Sequence, residues 1–289
     1  MEWRTDGADW PNNQFSRFVR HRPHYWHVQQ AGAGPVVLLL HGTGGSTHSW
    51  RDMIPLLARN YTVVALDLPG QGFTRMGARQ RCGLDNMSTD IAGFMAGEGL
   101  SPAAIIGHSA GGAIALRMAG RMDPAPGAVV GINAALSNFE GAAGTLFPMM
   151  ARMLSLNPFT ASMFARFTAT ESNVKALIGS TGSELTPEGL ALYRRLISDR
   201  HHVDATLTMM AQWSLEGLQA DLPEICVPTL FVTGDKDQAV PPRVAESAVA
   251  RMPRAEHVRF AALGHLAHEE APEAVAMSIT AFLRAQGVG

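Results

Sequence analysis

Gly107-His108-Ser109-Ala110-Gly111 sets a serine between two glycines, directly after the apolar run Ala103 to Ile106 and directly before an apolar helical segment. A serine in such a strand-to-helix turn is a nucleophile elbow. The turn holds its backbone in strained torsions, and the flanking glycines leave room where a Cβ would collide with neighbouring chain. A serine hydroxyl attacks a carbonyl only with help: a base to take its proton, an acid to orient that base, and donors for the developing oxyanion. His265, in Leu263-Gly264-His265, is the candidate base. Thr233-Gly234-Asp235-Lys236-Asp237 offers two candidate acids, of which Asp235 would also suit capping of the turn. The Ala110 amide at the helix start is one candidate oxyanion donor, and the Thr43 amide in His41-Gly42-Thr43-Gly44-Gly45 is a second. Losing one such donor costs about 3 kcal/mol of transition-state stabilisation. The chemistry these groups support is acyl transfer on an ester or related acyl compound.

For the groups to meet, several strand ends must share one edge of a sheet. Short apolar runs recur at Val36 to Leu40, Val63 to Leu66, Ala103 to Ile106, Val129 to Ile132 and Leu230 to Thr233, with His257 to Phe260 as a weaker last member. Runs of this kind predict buried parallel strands. Phe15 to Gln29 predicts an opening antiparallel pair split at Arg22-Pro23. Helical periodicity lies between the strands: Ile91, Phe94 and Met95 share one face, Ala113, Leu116 and Ala119 another, and Val275, Ile279 and Phe282 a third. The expected fold class is α/β, a mostly parallel doubly wound sheet. Asp67-Leu68-Pro69-Gly70-Gln71-Gly72, after the strand ending at Leu66, reads as a tight structural turn.

The β/α rhythm breaks between Leu136 and Leu222, where helix-like segments carry Phe147, Met149, Met150, Met153, Phe159, Met163, Phe164, Phe167, Met209 and Met210. This stretch, 136–222, is read as a helical cap inserted into a core formed by 1–135 and 223–289. Methionine is flexible and polarisable, so such a cap can mould itself to a bulky apolar ligand; the same residues can equally serve to seal the cap on the core. Trp50, Phe147, Met150 and Trp213 are the candidate substrate-binding side chains, with plain packing as their other reading.

Composition narrows the classes of function. The 289 residues carry a formal charge of −2 and no Lys/Arg run, so nucleic acid is not an expected partner. The two cysteines, Cys82 and Cys226, stand in no CxxC or Cys/His spacing and are read as ordinary thiols. No basic segment followed by an apolar one opens the chain and no long apolar stretch would span a bilayer, so a cytoplasmic location is expected, with peripheral membrane contact still open. His265 and His268 with Glu269 and Glu270 look like metal ligands on paper, but one histidine already has a role and the acids suit a helix start. No metal and no cofactor are expected, and no glycine-rich nucleotide motif is present. His201-His202 is read as a solvated cap surface, and His108 as a support of the elbow.

With the elbow, the acid loop and the histidine in that chain order, the sequence is identified as a member of the α/β-hydrolase superfamily. That resemblance favours Asp237 over Asp235, because the acid in this fold usually stands three residues past the glycine. It also sets a serine hydrolase apart from epoxide hydrolases and dehalogenases, which need an aspartate at the elbow. More discriminating stretches are Asp9-Trp10-Pro11-Asn12, Ser16-Arg17-Phe18-Val19, Trp26-His27-Val28-Gln29, Ser46-Thr47-His48-Ser49-Trp50-Arg51-Asp52, Gly234 to Pro242 and Leu263 to Glu270. Together they resemble the magnesium-chelatase accessory proteins of bacteriochlorophyll biosynthesis over nearly the whole chain. The resemblance implies a large apolar ligand such as a porphyrin and the magnesium-chelatase subunits as partners. Two other readings accompany it: a porphyrin carrier that breaks no bond, and a general carboxylesterase or C–C hydrolase of other metabolism.

Overall fold

A computed structural model describes residues 1–137 and 169–289. The apolar runs become strands: β1 (Ser16–His21), β2 (His24–Ala31), β3 (Val36–Leu40), β4 (Thr62–Leu66), β5 (Pro102–His108), β6 (Ala128–Ile132), β7 (Thr229–Gly234) and β8 (Ala255–Phe260). They form one sheet in the order β1-β2-β4-β3-β5-β6-β7-β8. β1 with β2 and β2 with β4 are antiparallel, and every other neighbouring pair is parallel. The carboxyl ends of β3, β5, β6, β7 and β8 therefore open on one edge, where ligands bind in open α/β sheets.

Side chains alternate between the two faces. Leu38, Leu40, Val64, Ile105 and Val129 pack against α3 (Leu84–Gly97) and α4 (Ala110–Ala119). Val37, Leu39, Val63, Ile106 and Val130 pack with α2 (Met53–Leu57) and α11 (Pro272–Ala285) on the other side. This two-residue period, with both faces covered, is why the central strands read as unbroken apolar runs. β8 is an edge strand with no fully buried residue, which explains its weaker apolar signal.

Between β6 and β7 the described chain forms α5 (Glu171–Gly179), α6 (Pro187–Ser198), α7 (Arg200–Gln212) and α8 (Glu216–Asp221), consistent with the expected helical insertion. α6 starts where Thr186 accepts from the Gly189 amide at 3.2 Å and Pro187 takes the first position. The remaining α-helices among the described residues are α1 (Trp3–Asp6), α9 (Arg243–Val249) and α10 (Ala267–Glu270). Among the described residues no helix is long and apolar enough to cross a membrane.

α4 is buried at all ten positions, and its first turn lies against the end of β3. A Cβ on Gly111 would stand 2.1 Å from the Leu40 carbonyl oxygen, and one on Gly107 would stand 2.1 Å from the Gly111 oxygen. Both obstacles are backbone, so no side-chain rotation relieves them. Gly111→Ala is expected to lower stability by about 3 kcal/mol, read as a shift of the urea unfolding midpoint; an unchanged midpoint would show that β3 and α4 separate at no cost.

Candidate active site

Ser109 stands between β5 and α4 with φ 51° and ψ −117°, a conformation that L residues adopt only under constraint. The constraint is visible: its amide donates to the Ile132 carbonyl at 2.9 Å, and its own carbonyl accepts from the Gly112 and Ala135 amides at 3.0 Å each. Ala110 is the first residue of α4, so its N–H has no acceptor within the helix. Across the edge, the loop after β7 carries Asp237 and the loop after β8 carries His265. His265 Nδ1 lies 2.8 Å from Asp237 Oδ2. Asp237 is buried, and its other oxygen accepts from the Ala239 and Val240 amides at 2.8 Å each. Those bonds fix the carboxylate, and the carboxylate makes Nδ1 the protonated nitrogen, leaving Nε2 free to act as a base. Asp235 faces outward and pairs with Arg259 at 2.8 Å, so the structure separates the two candidate acids.

One partner of the acid carried no signal by motif. Asn133, directly after β6 and with φ 46°, donates from Nδ2 to Asp237 Oδ2 at 2.6 Å. Its residue type was the only clue, since asparagine tolerates the left-handed region better than most.

The loop after β3 reaches the elbow from the other side. A Cβ on Gly42 would stand 2.9 Å from the Ser109 Cβ, so glycine permits the approach of this loop to the nucleophile. His41 is fully buried; its Nδ1–H donates to the Gly42 carbonyl at 2.8 Å and its Nε2 accepts from the Leu68 amide at 2.9 Å. Asp67 ties the turn after β4 to the same region, accepting from the Thr47 amide at 2.6 Å, the Phe73 amide at 2.8 Å and His27 Nδ1 at 2.7 Å. The Asp67 to Gly72 segment is thus a stapled turn, in line with its structural reading.

Beneath the elbow lies a layer of buried rings. His108 donates from Nε2 to the His265 carbonyl at 2.9 Å, and its ring packs 4.8 Å from that of His265 and 4.6 Å from that of His268. A second serine, imidazole and carboxylate meet in this layer: Ser49 Oγ donates to Glu269 at 2.6 Å and lies 2.8 Å from His268 Nε2. Glu269 also accepts from Tyr193 at 2.7 Å and pairs with Arg51. Since Ser49 has given its one proton to Glu269, His268 must donate to Ser49 from Nε2. A histidine that donates to a serine cannot deprotonate it, so this cluster anchors the fold while the elbow serine is Ser109.

Of the expected substrate-binding residues, Trp50 is sealed in the core with α2 and α11, its ring 4.6 Å from that of His268. Trp213 is half-buried against the α3–α4 face at the end of α7. Phe147 and Met150 lie outside the described residues. The solvated reading of His201-His202 is corrected at one position: His201 is exposed, whereas His202 is buried with both ring nitrogens hydrogen-bonded. The spacing of His202, Ala205 and Met209, all buried, was the signal that the histidine belongs to the inner face of α7.

The chain belongs to the alpha/beta hydrolase fold family, whose sequence profile it matches over residues 35–272. It is an enzyme of the serine-hydrolase type within that fold. Among its relatives, the "Magnesium-chelatase 30 kDa subunit" of Rhodobacter capsulatus is 45% identical over 285 residues, covering 98% of this chain and 99% of that one. A pimeloyl-[acyl-carrier protein] methyl ester esterase of Vibrio atlanticus is 27% identical over 243 residues, covering 83% and 90%. The crystal structure of an alpha/beta hydrolase fold protein from Burkholderia ambifaria superposes with a TM-score of 0.75 at 24% identity, over 92% of this chain and 97% of that one. The structure of the epoxide hydrolase CorEH does so with a TM-score of 0.78 at 19% identity, over 93% and 98%, a likeness of fold alone.

Burial sets the charge state of four histidines. Desolvation holds His48 and His108 well below the ordinary histidine value, His202 down to about 4 and His268 down to about 3. These rings are neutral in the folded protein, while in the unfolded chain they take up protons near the ordinary histidine value of about 6.5. The stability that neutrality of these rings contributes is therefore complete above about pH 6.5 and is lost as the pH falls through their folded-state values. Each such ring steepens the fall by up to about 1.4 kcal/mol per pH unit. Urea midpoints between pH 7.5 and about 4.5 are expected to drop with acidification, and His268→Gln to flatten that dependence; a pH-independent midpoint would show that the rings are not neutral inside.

Proposed function

We propose that the protein hydrolyses an ester or related acyl bond of a large apolar molecule, and that this molecule is a tetrapyrrole handled at the step where magnesium enters protoporphyrin. The observation that carries the hydrolytic part is the buried Asp237–His265 pair on the sheet edge that also bears the Ser109 elbow. In this reading Ser109 Oγ attacks the acyl carbon and His265 Nε2 takes its proton. The Thr43 and Ala110 amides hold the oxyanion, and Asp237 stabilises the imidazolium. Collapse of the adduct expels the alcohol, which recovers the proton from His265. Water, deprotonated by the same imidazole, then releases the acid and restores Ser109.

The tetrapyrrole part draws on the near full-length likeness to the R. capsulatus protein and on the methionine- and phenylalanine-rich 136–222 insertion. The same likeness favours a second reading, in which the chain binds a porphyrin beside the chelatase subunits and breaks no bond.

A fluorophosphonate probe separates these readings. Wild type is expected to label, Ser109→Ala not at all, and His265→Ala at least about a thousandfold more slowly. Labelling that persists in Ser109→Ala would remove the assigned nucleophile. Titration with protoporphyrin and magnesium-protoporphyrin is expected to quench fluorescence in the micromolar range, about −8 kcal/mol. No response to either would remove the tetrapyrrole and keep the esterase, whereas tight binding by an unreactive wild type would favour the carrier.

A further inference from the structure

His202 belongs to α7 of the insertion, yet both its ring nitrogens are spent on core backbone. The Gly72 amide lies 3.0 Å from Nδ1, and the Gly44 carbonyl lies 3.1 Å from Nε2. An amide only donates, so Nδ1 carries the lone pair; Nε2 therefore carries the proton and donates to Gly44. The ring is buried and its tautomer is fixed from both sides.

The loop it grips is tied to itself at the Gly42 carbonyl, which accepts from the Gly45 amide at 3.0 Å and from His41 at 2.8 Å. Gly42, Gly44 and Gly45 surround Thr43, and Gly44 adopts φ 77°. Around Gly44, with no side chain to lodge in the core, the backbone takes its orientation from the bonds that reach it from outside the loop. α7 governs both ends of Gly44. The Gly44 carbonyl accepts from His202, and the Gly44 amide donates to Gln71 Oε1 at 2.8 Å. Gln71 Nε2 in turn lies 3.2 Å from Met209 Sδ, also on α7. The Thr43 hydroxyl itself lies 3.8 Å from that sulfur.

We infer that His202 is a positioning residue for the reaction: from the helical insertion it holds the Gly42–Gly45 loop so that the Thr43 amide points at the oxyanion. The inference rests on the hydrolase reading above. It makes the seated insertion a working part of the oxyanion hole as well as a cover. An oxyanion donor acts on the transition state and little on the bound ground state. Loss of its alignment should therefore slow the chemical step and spare binding.

Two substitutions divide the ring. His202→Asn keeps an acceptor where Nδ1 meets Gly72 and removes the donor to Gly44; His202→Gln can restore a donor near the Nε2 position. Fluorophosphonate phosphonylation of the full chain reads the effect, since its phosphoryl oxygen occupies the same hole. His202→Asn is expected to lower the maximal labelling rate about a hundredfold, with the half-saturating probe concentration changed less than about twofold. His202→Gln should recover most of the rate, and His201→Asn, on the exposed side of α7, should match wild type.

Amide hydrogen exchange of the 41–46 segment supplies a readout independent of catalysis. Exchange is expected to quicken in His202→Asn and to return toward wild type in His202→Gln. A His202→Asn protein that labels at the wild-type rate overturns the positioning role, whether or not exchange changes. Slower labelling with unchanged exchange overturns it as well. A wild type that does not label at all would instead sink the hydrolase reading, and exchange alone would then show whether His202 grips the loop.

Discussion

At Gly111 the first turn of α4 runs against the Leu40 carbonyl with no space for a Cβ, and two residues past Leu40 the Gly42 backbone lies against the Ser109 side chain, where a Cβ would stand 2.9 Å from the Ser109 Cβ. Backbone against backbone is the tightest contact a fold can make, and its geometry leaves little slack. It brings the elbow and the oxyanion loop into one frame. The positive φ of Ser109 follows, because a chain that leaves β5 and enters α4 without moving away from β3 has to reverse within a single residue. The Ile132 carbonyl and the Gly112 and Ala135 amides hold that residue in place. The strain is offset by the packing of a helix buried at every position.

The insertion is joined to this frame through polar groups, and burial makes the junction strong. Tyr193 on α6 donates to Glu269, which lies four residues past His265 and also takes Ser49 and Arg51. Glu269 has its carboxyl pushed up by desolvation in spite of these partners. A buried carboxylate is costly to leave unpaired, so the insertion leaves the core only by breaking several bonds together. His202 makes the matching junction at the oxyanion loop. Through these two side chains the insertion touches both halves of the candidate machinery, the histidine side and the oxyanion side.

The sheet could be read from the sequence because buried parallel strands must be apolar on both faces, and β3, β4, β5, β6 and β7 are. The elbow could be read because its glycines answer a steric demand that few other sites make. The chain order of Ser109, the acid loop and His265 then placed the remaining groups on one edge. Asp237 was favoured over Asp235 by the usual place of the acid in this fold, and the structure sets Asp237 against His265 and Asp235 against Arg259. Asn133, Tyr193 and His202 were harder, for they act across 76 to 158 residues of chain through single hydrogen bonds. No local pattern encodes such pairs. His202 left a trace in helical period, but the neighbouring His201 made the pair look like a polar surface. Trp50 takes the packing side of its two readings: an aromatic residue near a motif could contact a ligand or fill the core, and here it fills the core.

Two serine, imidazole and carboxylate groupings flank His108, and their inequality follows from protons. Glu269 faces Ser49 directly and consumes its hydroxyl proton, so His268 can only donate. Asp237 faces His265 on the far nitrogen, which leaves Nε2 as an acceptor on the edge where Ser109 stands. His108 helps keep the two apart. Its Nε2–H is committed to the His265 carbonyl and its ring is held neutral by burial, so no cation sits between the groupings. An imidazolium formed on His265 during acyl transfer would meet neutral rings on one side and the Asp237 carboxylate on the other. In a poorly hydrated layer that single counter-charge acts with little screening. On the proposed mechanism, the desolvation that forbids charge on His108 and His268 strengthens the attraction between Asp237 and the imidazolium that would form on His265.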